Sequence, residues 1–414
     1  MPKSAFVPHD PGSIETRTSW VVACAALAVM SVTYGAPLVA VVALKPIAAD
    51  LGSERSVPSL AYSLAWLGAA FGGLAMGRIA ERVGVRWTAS FGALMIGLGL
   101  FVATGGSAWR LYVGYGLLIG LLGNGGINAP LYIYVSHWFD RRRGTALALI
   151  SSGQYVAGTI WPPLFERSIA EFGWQRTMIW FGTLVAAAVL PLAMLLRRPP
   201  AIPVPAHSGR SSAVHSAVLG WRPGVVLGLL AFASFCCCVP MAMPQGHLVA
   251  LCTDLGIPAS HGAAMLSLLL GMAFISRQLW GWLSDRIGGL GTVLAASFCQ
   301  ATALAALTLT QSETGLFVVA AAFGLGFSGI IPAYVLAIRE LFPAAEAAWR
   351  VPILLLCSGS GMAMGGWLAG AIYDHFGFYA PALATGVGFN LLNLAVIGTL
   401  VARQRRMGLR AAMA

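Results

Sequence analysis

Apolar residues along this chain fall into long runs separated by short polar stretches. The runs lie near 19–43, 58–80, 88–106, 109–136, 144–165, 174–196, 223–248, 261–284, 290–311, 314–338, 350–373 and 378–402. A helix of about 20 apolar residues crosses the hydrocarbon core of a bilayer. The pattern therefore predicts an all-α integral membrane protein with twelve transmembrane helices. One connection is long and polar: between Arg197 and Arg222 the sequence reads PPAIPVPAH and then SGRSS, which is linker chemistry. The expected organisation is a cytoplasmic tail over 1–18, a six-helix bundle over 19–198, a cytoplasmic linker over 199–222, a second six-helix bundle over 223–402 and a cytoplasmic tail over 403–414.

Composition agrees. Of the 414 residues 58% are hydrophobic and 9% charged, with a mean hydropathy of +0.79, whereas a soluble domain is about 25% charged. The formal charge of +11 does not indicate nucleic acid, because the basic residues punctuate apolar runs and form no stripe on a polar face. With a cytoplasmic N-terminus, only Lys45, Arg55, Arg110, Arg167 and Arg176 of the 25 Lys and Arg fall in outer segments. Arg277 lies inside a span, and the others flank the inner ends. That bias predicts both termini inside, with the first apolar run retained because it is too long for a signal-peptide core. The seven cysteines lack the spacing of a zinc site or disulfide framework, and no metal or cofactor is expected.

The two halves echo each other. Gly77-x-x-x-Glu81-Arg82-x-Gly84 recurs as Gly281-x-x-x-Asp285-Arg286-x-Gly288, Pro130-x-Tyr132 as Pro332-x-Tyr334, and Ser152-Gly153 as Ser358-Gly359. Offsets of 204, 202 and 206 at equivalent spans indicate a duplicated six-span unit, as in secondary transporters. The tracts GLLIGLLGNGG (116–126) and SGSGMAMGG (358–366) read as helix-packing surfaces.

On these motifs the chain resembles the major facilitator superfamily. GRIAERVGVRW (77–87) is similar to that superfamily's loop motif after span 2, with Glu81 where aspartate is more usual. Gly77 would allow close helix approach, and Glu81, Arg82 and Arg86 would form a charged latch at the cytoplasmic end, with Gly281, Asp285 and Arg286 as its counterpart. FDRRRGTALALISSG (139–153), EFGWQRT (171–177) and ISRQLWGWLSDRIG (275–288) look like the monocarboxylate-transporter-like branch and its bacterial relatives. That resemblance implies that Arg277 of span 8 engages a substrate carboxylate. The chain departs from the mammalian-type members at Ala273 and Leu38, where they carry an Asp and a Lys.

The residues alone point the same way. Arg277 lies eight residues before Asp285, roughly 12 Å along a helix, and every acid falls at a span end or in a loop. A guanidinium at that depth marks a substrate or ion path, and an anion would neutralise it through bidentate hydrogen bonds. The competing reading is Arg277 capped by backbone carbonyls or turned toward Asp285. His247, toward the outer end of span 7, is a candidate proton relay or substrate donor. Tyr34, Asn128, Tyr132, Gln154 and Tyr334 are candidate cavity groups, against an ordinary role in interhelical bonding. The expectation is a monomeric secondary transporter, not an enzyme, in a bacterial inner membrane, moving a small organic anion with protons as a candidate co-substrate. An amphiphile efflux pump and a transport-dead membrane sensor are the alternatives.

Overall fold

A computed structural model describes residues 14–196 and 218–413. The tail before Ile14 and most of the expected linker lie outside the described residues. Among the described residues, ten helices are long and apolar enough to cross a membrane. One of them, Ala259–Leu309, is two spans that turn at Gly288. Arg143–Ser151 and Gly153–Phe172 together form the fifth span, so the chain has the twelve expected. The last helix, Ala380–Met413, continues through most of the segment expected as a tail. Thr16 caps the first helix through a capping box with Ser19.

Each half has its own core. One cluster joins residues of spans 1–6, among them Val29, Ile96, Tyr115, Phe165 and Phe181. The other joins spans 7–12 and recruits Val41, Leu44, Tyr62 and Tyr155 where the bundles meet. The glycine tracts work as packing surfaces. A methyl at Gly125 would meet Gly72 Cα at 2.7 Å, and one at Gly361 would meet the Phe235 carbonyl at 2.5 Å. Gly77 is different: its nearest neighbour would be Ile133 Cδ1 at 3.8 Å, an ordinary contact. The close approaches of this helix fall higher up, at Gly68 and Gly72 against the backbone of span 4. The close approach expected at Gly77 is therefore absent.

The duplication extends beyond the motifs legible in sequence. Gly52 and Gly256, Gly84 and Gly288, and Gly173 and Gly377 are each 204 residues apart, and all six have positive φ. The first pair closes Asp50-Leu51-Gly52 and Asp254-Leu255-Gly256; the third sits in Phe172-Gly173-Trp174 and Phe376-Gly377-Phe378. Only glycine turns the chain this way without steric cost, so equivalent loops kept the residue in both halves.

The bundles touch along two antiparallel seams. Span 2 (Ser56–Val83) lies on span 11 (Ala344–Phe376), with Ala70 against Gly359, Ser63 against Gly366 and Ser59 against Gly370. Span 5 lies on span 8, with Gly158 against Leu270 and Thr159 against Gly271. Seven residues from Gly158 and from Leu270, at the same register, Ser151 meets Arg277.

Candidate functional site

Span 5 breaks where it faces Arg277. A regular helix would bond the Tyr155 N–H to the Ser151 carbonyl; instead it donates to Ser152 O at 3.0 Å. The Ser151 carbonyl is left for a tertiary partner. Arg277 Nη1 donates to it at 3.2 Å and to Ser151 Oγ at 2.7 Å. Part of the competing reading is thus realised: one backbone carbonyl does cap the guanidinium. Asp285 does not, since it is exposed and makes no ion pair among the described residues.

One edge of Arg277 remains. Nε is buried and has no hydrogen-bond partner, and no bond from Nη2 appears among the described residues. Both engaged acceptors are neutral. The guanidinium lies over the Tyr155 ring, 4.9 Å from its centroid, and Tyr34 and Tyr132 are within its electrostatic reach. The Tyr132 hydroxyl also lies near the Ser151 side chain. Tyr34, Tyr132, Gln154 and Asn128 are partly accessible, and the Asn128 Oδ1 is unpartnered. The structure therefore gathers Arg277, Tyr34 and Tyr132 at the interface between bundles.

Tyr334 and His247 are placed elsewhere. Tyr334 is fully buried; its hydroxyl donates to Asn393 Oδ1 at 2.5 Å, and Asn393 Nδ2 donates to Ser297 Oγ at 2.8 Å. This chain ties spans 9, 10 and 12 together inside one bundle. His247, 3% exposed, has both ring nitrogens in use: Nε2 donates to the Gly366 carbonyl at 2.8 Å, and Nδ1 accepts from Tyr379 OH at 3.0 Å. It lies beneath a gate rather than beside Arg277.

That gate was not anticipated. At the end of the molecule near Lys45, Arg55 of the first bundle donates to both Asp254 carboxylate oxygens, from Nη1 at 2.5 Å and Nη2 at 2.7 Å. Lys45 Nζ joins at 3.0 Å. The Asp374 carboxylate accepts the Arg55 and Ser56 backbone N–H groups at 2.9 and 2.8 Å, where the N-terminus of span 2 favours negative charge. The Arg55 guanidinium lies 3.7 Å from the Tyr373 ring centroid and donates to Tyr379 OH at 3.2 Å. Burial opposes the Arg55 cation, but the Asp254 carboxylate and Tyr379 outweigh it and hold its pKa above the usual range.

At the opposite end the expected latch groups are not paired among the described residues. Glu81, Arg82, Arg86, Asp285 and Arg286 are exposed. Arg86 and Arg286 lie over the neighbouring Trp87 and Trp282 rings, and Gly281 has open space around it. None of the five charged groups makes an ion pair among the described residues. Among the described residues the expected latch is disengaged, while the Arg55 end is paired.

Two pseudo-symmetric helical bundles, paired at one end and with a membrane-embedded arginine where they meet, define a membrane transporter of the two-bundle type. The chain belongs to the Major Facilitator Superfamily, whose model matches residues 20–317. It is 24% identical over 312 residues to the uncharacterized MFS-type transporter YcxA of Bacillus subtilis (strain 168), covering 72% of this chain and 74% of that one. It is 26% identical over 329 residues to monocarboxylate transporter 13 of Rattus norvegicus, covering 78% and 74%. Among solved structures, a mutant form of the nucleoside transporter NupG aligns with a TM-score of 0.73 at 12% identity, covering 92% of this chain and 99% of that one. The relatives are transporters, and this chain is a multi-pass membrane protein of that kind, not an enzyme.

Proposed function

We propose that this protein moves a small organic anion of the monocarboxylate type by alternating access, with Arg277 as the carboxylate anchor. One observation carries the reading: among the described residues, Arg277 at the bundle interface is bonded to a serine carbonyl and hydroxyl alone, and its Nε is buried without a partner. A charge set within a membrane span pairs with another group, and an anion is a strong partner for a guanidinium. The Nε–Nη2 edge presents two parallel donors, the arrangement that takes a carboxylate bidentately. Likeness to monocarboxylate transporters supports the same class.

The distribution of Lys and Arg supports both termini on the cytoplasmic side of a bacterial inner membrane. On that orientation the Arg55–Asp254 end faces outward, and this conformation is closed to the outside. Rocking of the bundles along the seams 2/11 and 5/8 would break the Arg55 network and bring the Glu81 and Asp285 loops into play as latches. A thermal-shift screen of small carboxylates against the purified protein tests the assignment. Stabilisation by carboxylates that disappears in Arg277→Gln is expected; stabilisation that survives the substitution refutes the anchor.

A further inference from the structure

An aromatic wall of the first bundle adjoins Arg277. Tyr34 of span 1, Trp66 of span 2, Tyr132 of span 4 and Tyr155 of span 5 supply it, while Arg277 belongs to span 8. Tyr34 and Trp66 have ring centroids 6.4 Å apart at 41°, and Trp66 is braced edge-on by buried Tyr62 at 6.5 Å and 82°. Tyr34, Trp66 and Tyr132 are partly accessible, whereas Tyr155 is buried beneath the guanidinium. Trp66 Nε1 and Asn128 Oδ1 are buried without partners, like Arg277 Nε. Among the described residues, Arg277 is the charged group within electrostatic reach of both Tyr34 and Tyr132, and the acidic residues lie at span ends or in loops.

A two- or three-carbon acid would satisfy Arg277 and leave this wall unused. A flat ring on the carboxylate would lie among the Tyr34, Trp66 and Tyr132 faces, where offset and edge-on contacts are favourable. The absence of a second charge selects further. An ammonium group would find no acid there, and a second carboxylate no second cation, so amino acids and diacids would bury an unpaired charge.

Resting on the anion reading, we propose that the site takes a ring-bearing monocarboxylate without an amine, and that Tyr34 and Trp66 set this specificity while Arg277 sets the charge.

Equilibrium binding to the full-length protein tests this with four probes: lactate, benzoate, cyclohexanecarboxylate and phenylalanine. Benzoate is expected to bind about tenfold or more tightly than lactate, the gain expected from burying a ring against apolar surface. It should also bind more tightly than cyclohexanecarboxylate, and phenylalanine should bind no better than lactate. Tyr34→Leu and Trp66→Leu should each lower the benzoate-to-lactate ratio at least threefold; Trp66→Met, which removes the ring but keeps bulk, serves if the leucine variant does not fold. Lactate equal to or tighter than benzoate, cyclohexanecarboxylate equal to benzoate, or an unaltered ratio in the wall variants overturns the ring proposal while leaving the anchor standing. If none of the four binds, the anion reading itself fails and this proposal with it.

Discussion

Arg55 and Asp254 face each other fork to fork across the two bundles, Nη1 to Oδ2 at 2.5 Å and Nη2 to Oδ1 at 2.7 Å. Their side chains are 14% and 22% exposed, so the pair lies between the weak surface case of about 0–1 kcal/mol and the 3–5 kcal/mol lost when a buried pair is broken. Asp254→Asn should therefore loosen this end without unfolding the bundles. Spin labels at Glu54→Cys and Ser260→Cys, with Cys24 and Cys299 replaced by serine, should show longer separations appearing in the Asp254→Asn background. An unchanged distance distribution would show that the pair does not hold the end closed.

Ser151 positions Arg277 through two acceptors, one of which no substitution removes. Ser151→Ala keeps the carbonyl and deletes the 2.7 Å hydroxyl contact. The expected loss is about 0.5–1.5 kcal/mol, read as a several-fold rise in carboxylate Kd, with Ser151→Thr restoring most of it. An effect as large as that of Arg277→Gln would mean that Ser151 itself holds the ligand.

The hydrogen bonds from Arg55 through Tyr379 and His247 to Gly366 run in one direction, each donor feeding the next acceptor. His247→Phe and Tyr379→Phe each strand a buried polar partner, at about 1–3 kcal/mol. Because they share one contact, the double variant should lose less thermal stability than the two singles added together. Strict additivity would contradict the linked network.

Gly288 turns span 8 into span 9 at φ 73° and ψ 172°, a region nearly confined to glycine. Gly288→Ala should cost about 1–3 kcal/mol and lower Tm visibly. Gly281→Ala, in a helix with open space around it, should not lower Tm, since alanine is the better helix former.

Much of this was legible beforehand, and the reasons for the rest are physical. The twelve spans and the duplication show in hydropathy and in the Gly84/Gly288 echo because lipid forces long apolar runs. Arg277 stood out because a charge in such a run has no ordinary use. The Arg55–Asp254–Asp374 gate was hidden: each residue reads as an interfacial loop charge, and only the approach of the two halves pairs them. The Asp50-Leu51-Gly52 and Asp254-Leu255-Gly256 repeat was the available signal. Tyr334 read as a cavity residue because sequence does not tell which face of span 10 turns into its own bundle, where Asn393 waits. The Ser151 carbonyl, freed from its helix, is not legible in sequence because the break at Ser152 depends on tertiary packing.

Uptake of labelled monocarboxylates into proteoliposomes is the most direct test of the anchor. Wild-type protein is expected to carry at least one of lactate, pyruvate and benzoate well above empty liposomes. Arg277→Gln should abolish that flux while the protein stays folded and inserted, and Arg277→Lys should recover little, since a point charge does not reproduce the fork. Undiminished uptake of every carboxylate by Arg277→Gln would contradict the account at its centre.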